Sequence, residues 1–160
     1  MQNSENAEPR IEHVRIDRSA ARITLLGVPD VPGVAAKVFS SLAGRNVGVE
    51  MIVQNNMRGG ITDIGFLITK ARLDDAVEVC RKISKEIDAQ GVSFSTEIAR
   101  VSIYGDHLSE AVDIPAKTFS ALAEAQVNID IIVSDSHHIT CVVAEKSAEA
   151  AARALKEKFM

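Results

Sequence analysis

The stretch GVPDVPG, residues 27 to 33, places the carboxylate of Asp30 three positions ahead of Gly33, between the apolar run ARITLL and the segment VAAKVFSSLA, which has helical spacing. A helix N-terminus leaves backbone N–H groups unpaired and carries the positive end of the helix dipole, so it favours an anion. Pro32 fixes φ and Gly33 admits a close approach. The N–H groups of Gly33, Val34 and Ala35 can therefore hold the α-carboxylate of a free amino acid. Asp30 supplies the opposite charge, which can pair with an α-ammonium, cap the helix, or do both. The same Asp-x-Pro-Gly loop is also the form of an ordinary N-cap and helix start. The turn alone does not decide between these roles.

Other chemistries lack their residues. Cys80 and Cys141 form no CxxC pair and sit at apolar positions of predicted elements, which points to reduced, buried thiols. His137 and His138 are adjacent, and neighbouring strand residues point to opposite faces, so they cannot chelate one metal ion. With His13 and His107 scattered, no metal site is expected, and no cofactor motif is present. There is no P-loop, and no nucleophile flanked by a base and an orienting group.

The elements around the turn repeat. Residues 35 to 53 aligned with 115 to 133, offset by 80, are identical at nine of nineteen positions: Ala36/Ala116, Lys37/Lys117, Phe39/Phe119, Ser40/Ser120, Leu42/Leu122, Ala43/Ala123, Val47/Val127, Ile52/Ile132 and Val53/Val133. That preserves helix and strand periods together and marks a duplicated supersecondary unit. In the first copy, 21–28 reads as a strand. Val34, Val38, Leu42 and Ala35, Phe39, Ala43 merge into the apolar face of a three-turn helix. Residues 47–55 and 62–69 form a hairpin through the Gly59-Gly60 turn. Leu73, Val77, Cys80, Ile83 and Ile87 stripe a second helix, with Glu78 and Lys82 paired at i,i+4 and Gly91 as its C-cap. A strand over 92–98 finishes the copy.

The order is β-α-β-β-α-β, a ferredoxin-like α+β domain with a four-stranded antiparallel sheet and two helices on one face. The second copy has a strand at 99–105, a helix at 114–125, strands at 128–135 and 138–144, and a helix at 147–159. It is one strand short. Residues 11–17 belong to no element of the first copy and are expected to complete the second sheet. The first domain, 19–95, is thus inserted within the second, 11–18 plus 96–160. The polar opening, 1–10, reads as a flexible tail.

At 160 residues, with 46% hydrophobic and 25% charged residues, the chain can bury one or two small cores. A formal charge of -4 and 4% aromatic residues argue against nucleic-acid binding, which needs phosphate neutralisation and stacking surfaces. No apolar run approaches the roughly 20 residues of a membrane span, and no signal-peptide layout opens the chain, so no membrane partner and a cytoplasmic location are expected.

GVPDVPGVAAKVFSSLAGRNVGVEMIVQN, with GGITDIGF after it and NIDIIVSD in the second copy, resembles the paired ACT domains at the C-terminal end of aspartate kinase. The resemblance covers residues 11 to 159. It implies a regulatory module that binds threonine, lysine or both between ACT domains, forms homodimers through them, and imposes feedback inhibition on a kinase domain or chain. Position by position it assigns effector contacts to Asp30, Gly33, Val34, Ala35, Gln54 and Asn55 in the first domain, and to Asn128 and Ile129 in the second. The Gln54 amide, at a strand end, can bond an effector's hydroxyl or ammonium. No Lys-Phe-Gly-Gly stretch of the kinase active site occurs, so this chain carries no catalytic site and is either a fragment or a separate regulatory subunit. The second copy departs from the pattern: Val112 and Asp113 stand where the family commonly has Pro-Gly. Asp113 there is expected to cap its helix, with Pro115 in the first turn, rather than admit a ligand. A stand-alone tandem-ACT amino-acid sensor without a kinase is the alternative reading.

Overall fold

The structure is a computed structural model and describes residues 9–160. Residues 1–8 of the expected tail lie outside this range, and the remainder is not tail, because Arg10 opens the first strand. Eight strands and four helices follow in order: β1 (Arg10–Asp17), β2 (Ala20–Pro29), α1 (Val34–Gly44), β3 (Glu50–Asn56), β4 (Ile61–Thr69), α2 (Leu73–Glu86), β5 (Gly91–Ser95), β6 (Ile98–Asp106), α3 (Ile114–Glu124), β7 (Ile131–Ser134), β8 (His138–Ala144) and α4 (Ala148–Phe159).

They form two compact units. Residues Ser19–Thr96 build an antiparallel sheet in the order β3-β4-β2-β5. Residues 9–18 with 97–160 build a second in the order β1-β6-β8-β7, where β1 takes the edge that β5 occupies in the first. The second unit is thus a circular permutation of the first, and the strand missing from the end of the repeat comes from the start of the chain.

Alternation decides the buried face of each sheet. Ala21, Ile23 and Leu25 are fully buried while Arg22 and Thr24 between them are not. Directly paired residues share a face, so Phe66 and Ile64, opposite Ile23 and Leu25, join the same core under Val38 and Leu42 of α1 and Val77, Cys80 and Ile83 of α2. Phe39 meets Phe66 edge-on at 5.5 Å. The matching core of the other unit is built from Val101, Ile103, Ile139, Cys141 and Val143 against Leu122 of α3 and Leu155 of α4. One member of the expected α1 face, Ala43, is exposed.

A bulge ends the alternation in β2. Leu25 pairs with Ile64 but Val28 pairs with Thr62, so β2 spends one residue more than β4, and both Leu25 and Val28 point into the core. Gly27 carries the bulge at φ +57, and its N–H donates to Asp63 Oδ1 at 2.9 Å.

The end of α2 differs from the expected glycine cap. Asp88, not Gly91, takes the left-handed position after α2, with Asp88 N–H reaching the Lys85 carbonyl and Ala89 N–H the Ser84 carbonyl; Gly91 already belongs to β5. Asn46 after α1 and Gln126 after α3 do the same, and Val47 and Val127 donate back to Leu42 and Leu122. All three are Schellman caps built without glycine. Because Val47 and Val127 are still part of the caps, β3 and β7 begin three residues later than expected. The expected Glu78–Lys82 pair is absent: Glu78 lies 3.5 Å from Arg45, which also binds Asp75 at 3.0 Å and so ties α1 to α2. No helix of the described residues is long and apolar enough to cross a membrane.

Candidate functional site

The bulge delivers the chain into the 29–33 turn. Asp30 N–H donates to the Gly60 carbonyl at 2.9 Å, fastening this turn to the β3–β4 turn. Gly33 is the N-cap of α1 at φ +92, and no side chain caps the helix. The space where a Cβ on Gly33 would stand is open, with nothing within 4 Å. Val34 N–H makes a long 3.4 Å contact with the Val31 carbonyl. The N–H groups of Gly33, Ala35 and Ala36 have no acceptor among the described residues. Ala36 was not singled out from sequence; it becomes a free donor because the helix starts at Val34, which places Ala36 third in the first turn.

Asp30 does not cap the helix. Its carboxylate is exposed and bonds to nothing among the described residues. Gln54 pairs with Ile64 and therefore lies on the helix face of the sheet; Asn55 pairs with Asp63 and lies on the other face. Both side chains are exposed and unbonded. The backbone beneath them is fixed: Thr62 Oγ1 donates to the Asn55 carbonyl at 2.6 Å, and Asp63 holds Gly27. The structure thus brings Asp30, Gly33, Val34, Ala35 and Gln54 to one end of one unit. Asn128 and Ile129 belong to the other unit, in the loop between the α3 cap and β7. There Asn128 is exposed and unbonded and Ile129 packs against its own core.

The second-copy turn is built differently. Asp113 is the N-cap of α3 at φ -103, but its side chain makes no capping bond. Instead it forms an ion pair with Lys117, whose hydrogen bond holds the Asp113 carboxyl below its ordinary range. The expected capping role is corrected accordingly: a lysine one turn away outcompetes the backbone N–H groups for the carboxylate. The histidines are also less scattered than their sequence positions imply. His13 stacks on Tyr104 at 4.6 Å and Tyr104 on His138 at 5.7 Å, a row of rings across β1, β6 and β8. Asp135 accepts from the backbone of His137 and His138, which lowers its pKa, and reaches the His138 ring at 3.0 Å.

Comparison with known proteins places this geometry. Residues 23–83 and 101–159 both match the family model described as the ACT domain. An aspartate kinase of Pseudomonas fluorescens is 36% identical over 152 residues, covering 95% of this chain; the chain spans only 37% of that relative's length. The solved regulatory subunit of aspartate kinase from Thermus thermophilus, in its ligand-free form, matches with a TM-score of 0.89 at 35% identity, over 94% of this chain and 99% of that one. A chain of the solved aspartokinase alpha and beta subunits matches with a TM-score of 0.87 at 31% identity, over 93% of this chain and 98% of that one. Two repeats of one βαββαβ unit, the second permuted around the first, and full-length likeness to a regulatory subunit lead to one assignment: the chain belongs to the ACT-domain family, as the tandem-ACT regulatory portion of aspartate kinases.

Proposed function

We propose that this chain is the allosteric module through which threonine, lysine or both inhibit an aspartate kinase by feedback in the cytoplasm, acting on a catalytic domain or chain that these residues do not include. The observation that supports it is the turn at Gly33. A helix N-terminus with free N–H groups, open space over the glycine and an unpaired Asp30 carboxylate together complement an α-carboxylate and an α-ammonium, the two charges every free amino acid carries. Gln54 is the group that reads the side chain. Val31, Ile52 and Met57 are large apolar residues left about half exposed in the same unit, and a homodimer that covers them would enclose the ligand, with Asn128 and Ile129 contributing from an apposed ACT domain of a second chain. An effector enclosed in this way shifts the equilibrium by its differential affinity for the closed dimer, typically about 1–3 kcal/mol per coupled site.

The test is calorimetric titration with threonine and with lysine, each alone and each in the presence of the other, together with the mass in solution. Saturable binding by a dimer, weakened at least tenfold by Asp30→Ala with the unfolding midpoint unchanged, is the expected result. Unchanged affinity in Asp30→Ala refutes the site, and no binding of either amino acid to a dimer refutes the ligand class.

A further inference from the structure

In the sheet of the second unit β1 bonds only β6, so its outer edge carries no partner strand among the described residues over the eight positions from Arg10 to Asp17. The side chains along that edge are sorted by face. Ile11, Val14 and Ile16 lie on the helix face and pack against the core, with Val14 and Ile16 left half-buried at the margin. His13, Arg15 and Asp17 pair with Tyr104, Ser102 and Arg100 and share the opposite face. Ile11 pairs with Gly105 and His13 with Tyr104, so Glu12 is the extra residue of a bulge, and Arg10, opposite Asp106, returns to the face of His13. Arg10, Glu12 and Arg15 are exposed, and their side chains bond nothing among the described residues. The row of rings from His138 through Tyr104 ends at this edge, with His13 exposed as its last member.

We propose that β1 is a self-complementary edge, along which a second copy of this chain adds its own β1 antiparallel about a two-fold axis at Val14. In that register Val14 stands opposite Val14 of the second copy, and Ile16 opposite its Ile11. Glu12 and His13, the two residues of the bulge, stand opposite its Arg15, and Arg10 opposite its Asp17. Each charge meets its opposite, twice over by symmetry. Glu12 pairs with the guanidinium of the facing Arg15, whose plane can also lie on the outer side of the His13 ring and extend the stack. Asp17, already paired with Arg100, accepts the facing Arg10 at its remaining lone pairs. The bulge is necessary to this fit, because without its extra residue Asp17 would stand opposite Ile11. Neighbouring registers lack the match: an axis at Arg15 sets the two Arg15 side chains against each other, and an axis at His13 sets Arg15 against Arg10. Backbone hydrogen bonds and cover for Val14 and Ile16 supply the affinity, while the charges choose the partner and the register.

The experiment is a charge swap read by sedimentation equilibrium on the full chain, comparing the parent with Glu12→Arg, Arg15→Glu and the double variant. All three changes are at exposed side chains, so the fold is retained. Expected in the parent is a concentration-dependent doubling of mass. Each single variant sets like charges across the axis and should raise the dissociation constant of that step at least about tenfold. The double variant restores the pair with its ends exchanged and should return to within about threefold of the parent. Amide hydrogen exchange over residues 10–17 should slow as the parent is concentrated, and should not do so in Arg15→Glu. An association step untouched by Arg15→Glu, a double variant as weak as the singles, or exchange in β1 that ignores concentration overturns the inference. So does a parent that shows no such step at millimolar concentration. Effector binding at the Gly33 turn plays no part in these readouts, so either reading can fail alone.

Discussion

Replacing Gly33 by alanine separates the two roles of that residue. At φ +92 and ψ -12 the position lies beyond the left-handed basin, where a side chain costs about 1–2 kcal/mol. The added Cβ meets nothing within 4 Å, so no clash within the chain adds to that figure. The unfolded chain loses freedom with alanine, which offsets about 0.4–1 kcal/mol. Gly33→Ala should therefore destabilise the protein by about 1 kcal/mol net, a fall of roughly 2–4 °C in the unfolding midpoint of a chain this size. Its methyl group would stand in the space left open above the N–H groups of α1, so effector affinity should fall at least tenfold, about 1.4 kcal/mol. Gly33→Asn divides the effects, because asparagine tolerates positive φ better than alanine yet still carries a Cβ. Urea unfolding and calorimetry on both variants give the answer. A higher midpoint in Gly33→Ala refutes the left-handed turn, and wild-type affinity in Gly33→Asn refutes approach of a carboxylate at this point.

Gly105→Ala should be more costly, because its Cβ would lie 2.0 Å from the Arg10 carbonyl oxygen and only a shift of the β1 backbone relieves it. A loss on the order of 3 kcal/mol in urea unfolding is expected for such overpacking, and a loss below about 1 kcal/mol would contradict the pairing of β1 with β6. Gln126→Gly should stabilise by about 1 kcal/mol, since Gln126 ends α3 at φ +58 where glycine has no penalty; a melting temperature no higher than the parent's refutes the cap. Burial pushes the Cys80 and Cys141 thiols up to about 11 from 9.0. Between those values the unfolded chain sheds thiol protons that the native chain retains, so stability is intact below pH 9 and declines as pH rises toward 11, by about 3 kcal/mol per thiol at most. Denaturation midpoints from pH 8 to 10.5 on Cys80→Ala and Cys141→Ala check this, and a decline as steep in the double variant as in the parent would assign it to other groups.

What could be read from the residues, and what could not, divides along the range of the interactions. The identities between residues 35–53 and 115–133 carry both helix and strand periods, so the duplicated unit, its sheet faces and the homeless strand at 11–17 were visible without coordinates. The turn at Gly33 was visible because its chemistry is local: a proline, a glycine and a helix start within seven residues. The β2 bulge was not, because one extra residue opposite β4 leaves composition and hydropathy almost unchanged; only the pairing of Leu25 with Ile64 and Val28 with Thr62 exposes it. The α2 cap was misplaced because glycine is only the commonest left-handed residue, and Asp88 adopts that conformation where two backbone hydrogen bonds hold the turn. His13 looked isolated because its neighbour Tyr104 is 91 positions away and is brought alongside by register.

The same division bears on the two turns. Sequence shows that Gly33 and Asp113 differ, and a glycine-to-aspartate change at a helix start reads equally as a better cap or a lost ligand site. The structure distinguishes the two turns by their partners: Asp113 bonds Lys117 rather than the helix N–H groups, whereas Asp30 and Gln54 bond nothing among the described residues. Solvated polar side chains gathered at one end of a unit, above backbone donors that are also unpaired, are an arrangement a fold does not need for its own stability. The Asp113–Lys117 pair in the second unit shows that the same scaffold stands without an open glycine at the helix start. An open glycine at one helix start and an ion pair at the other is an asymmetry that counting bound effector molecules per chain tests more directly than any stability measurement.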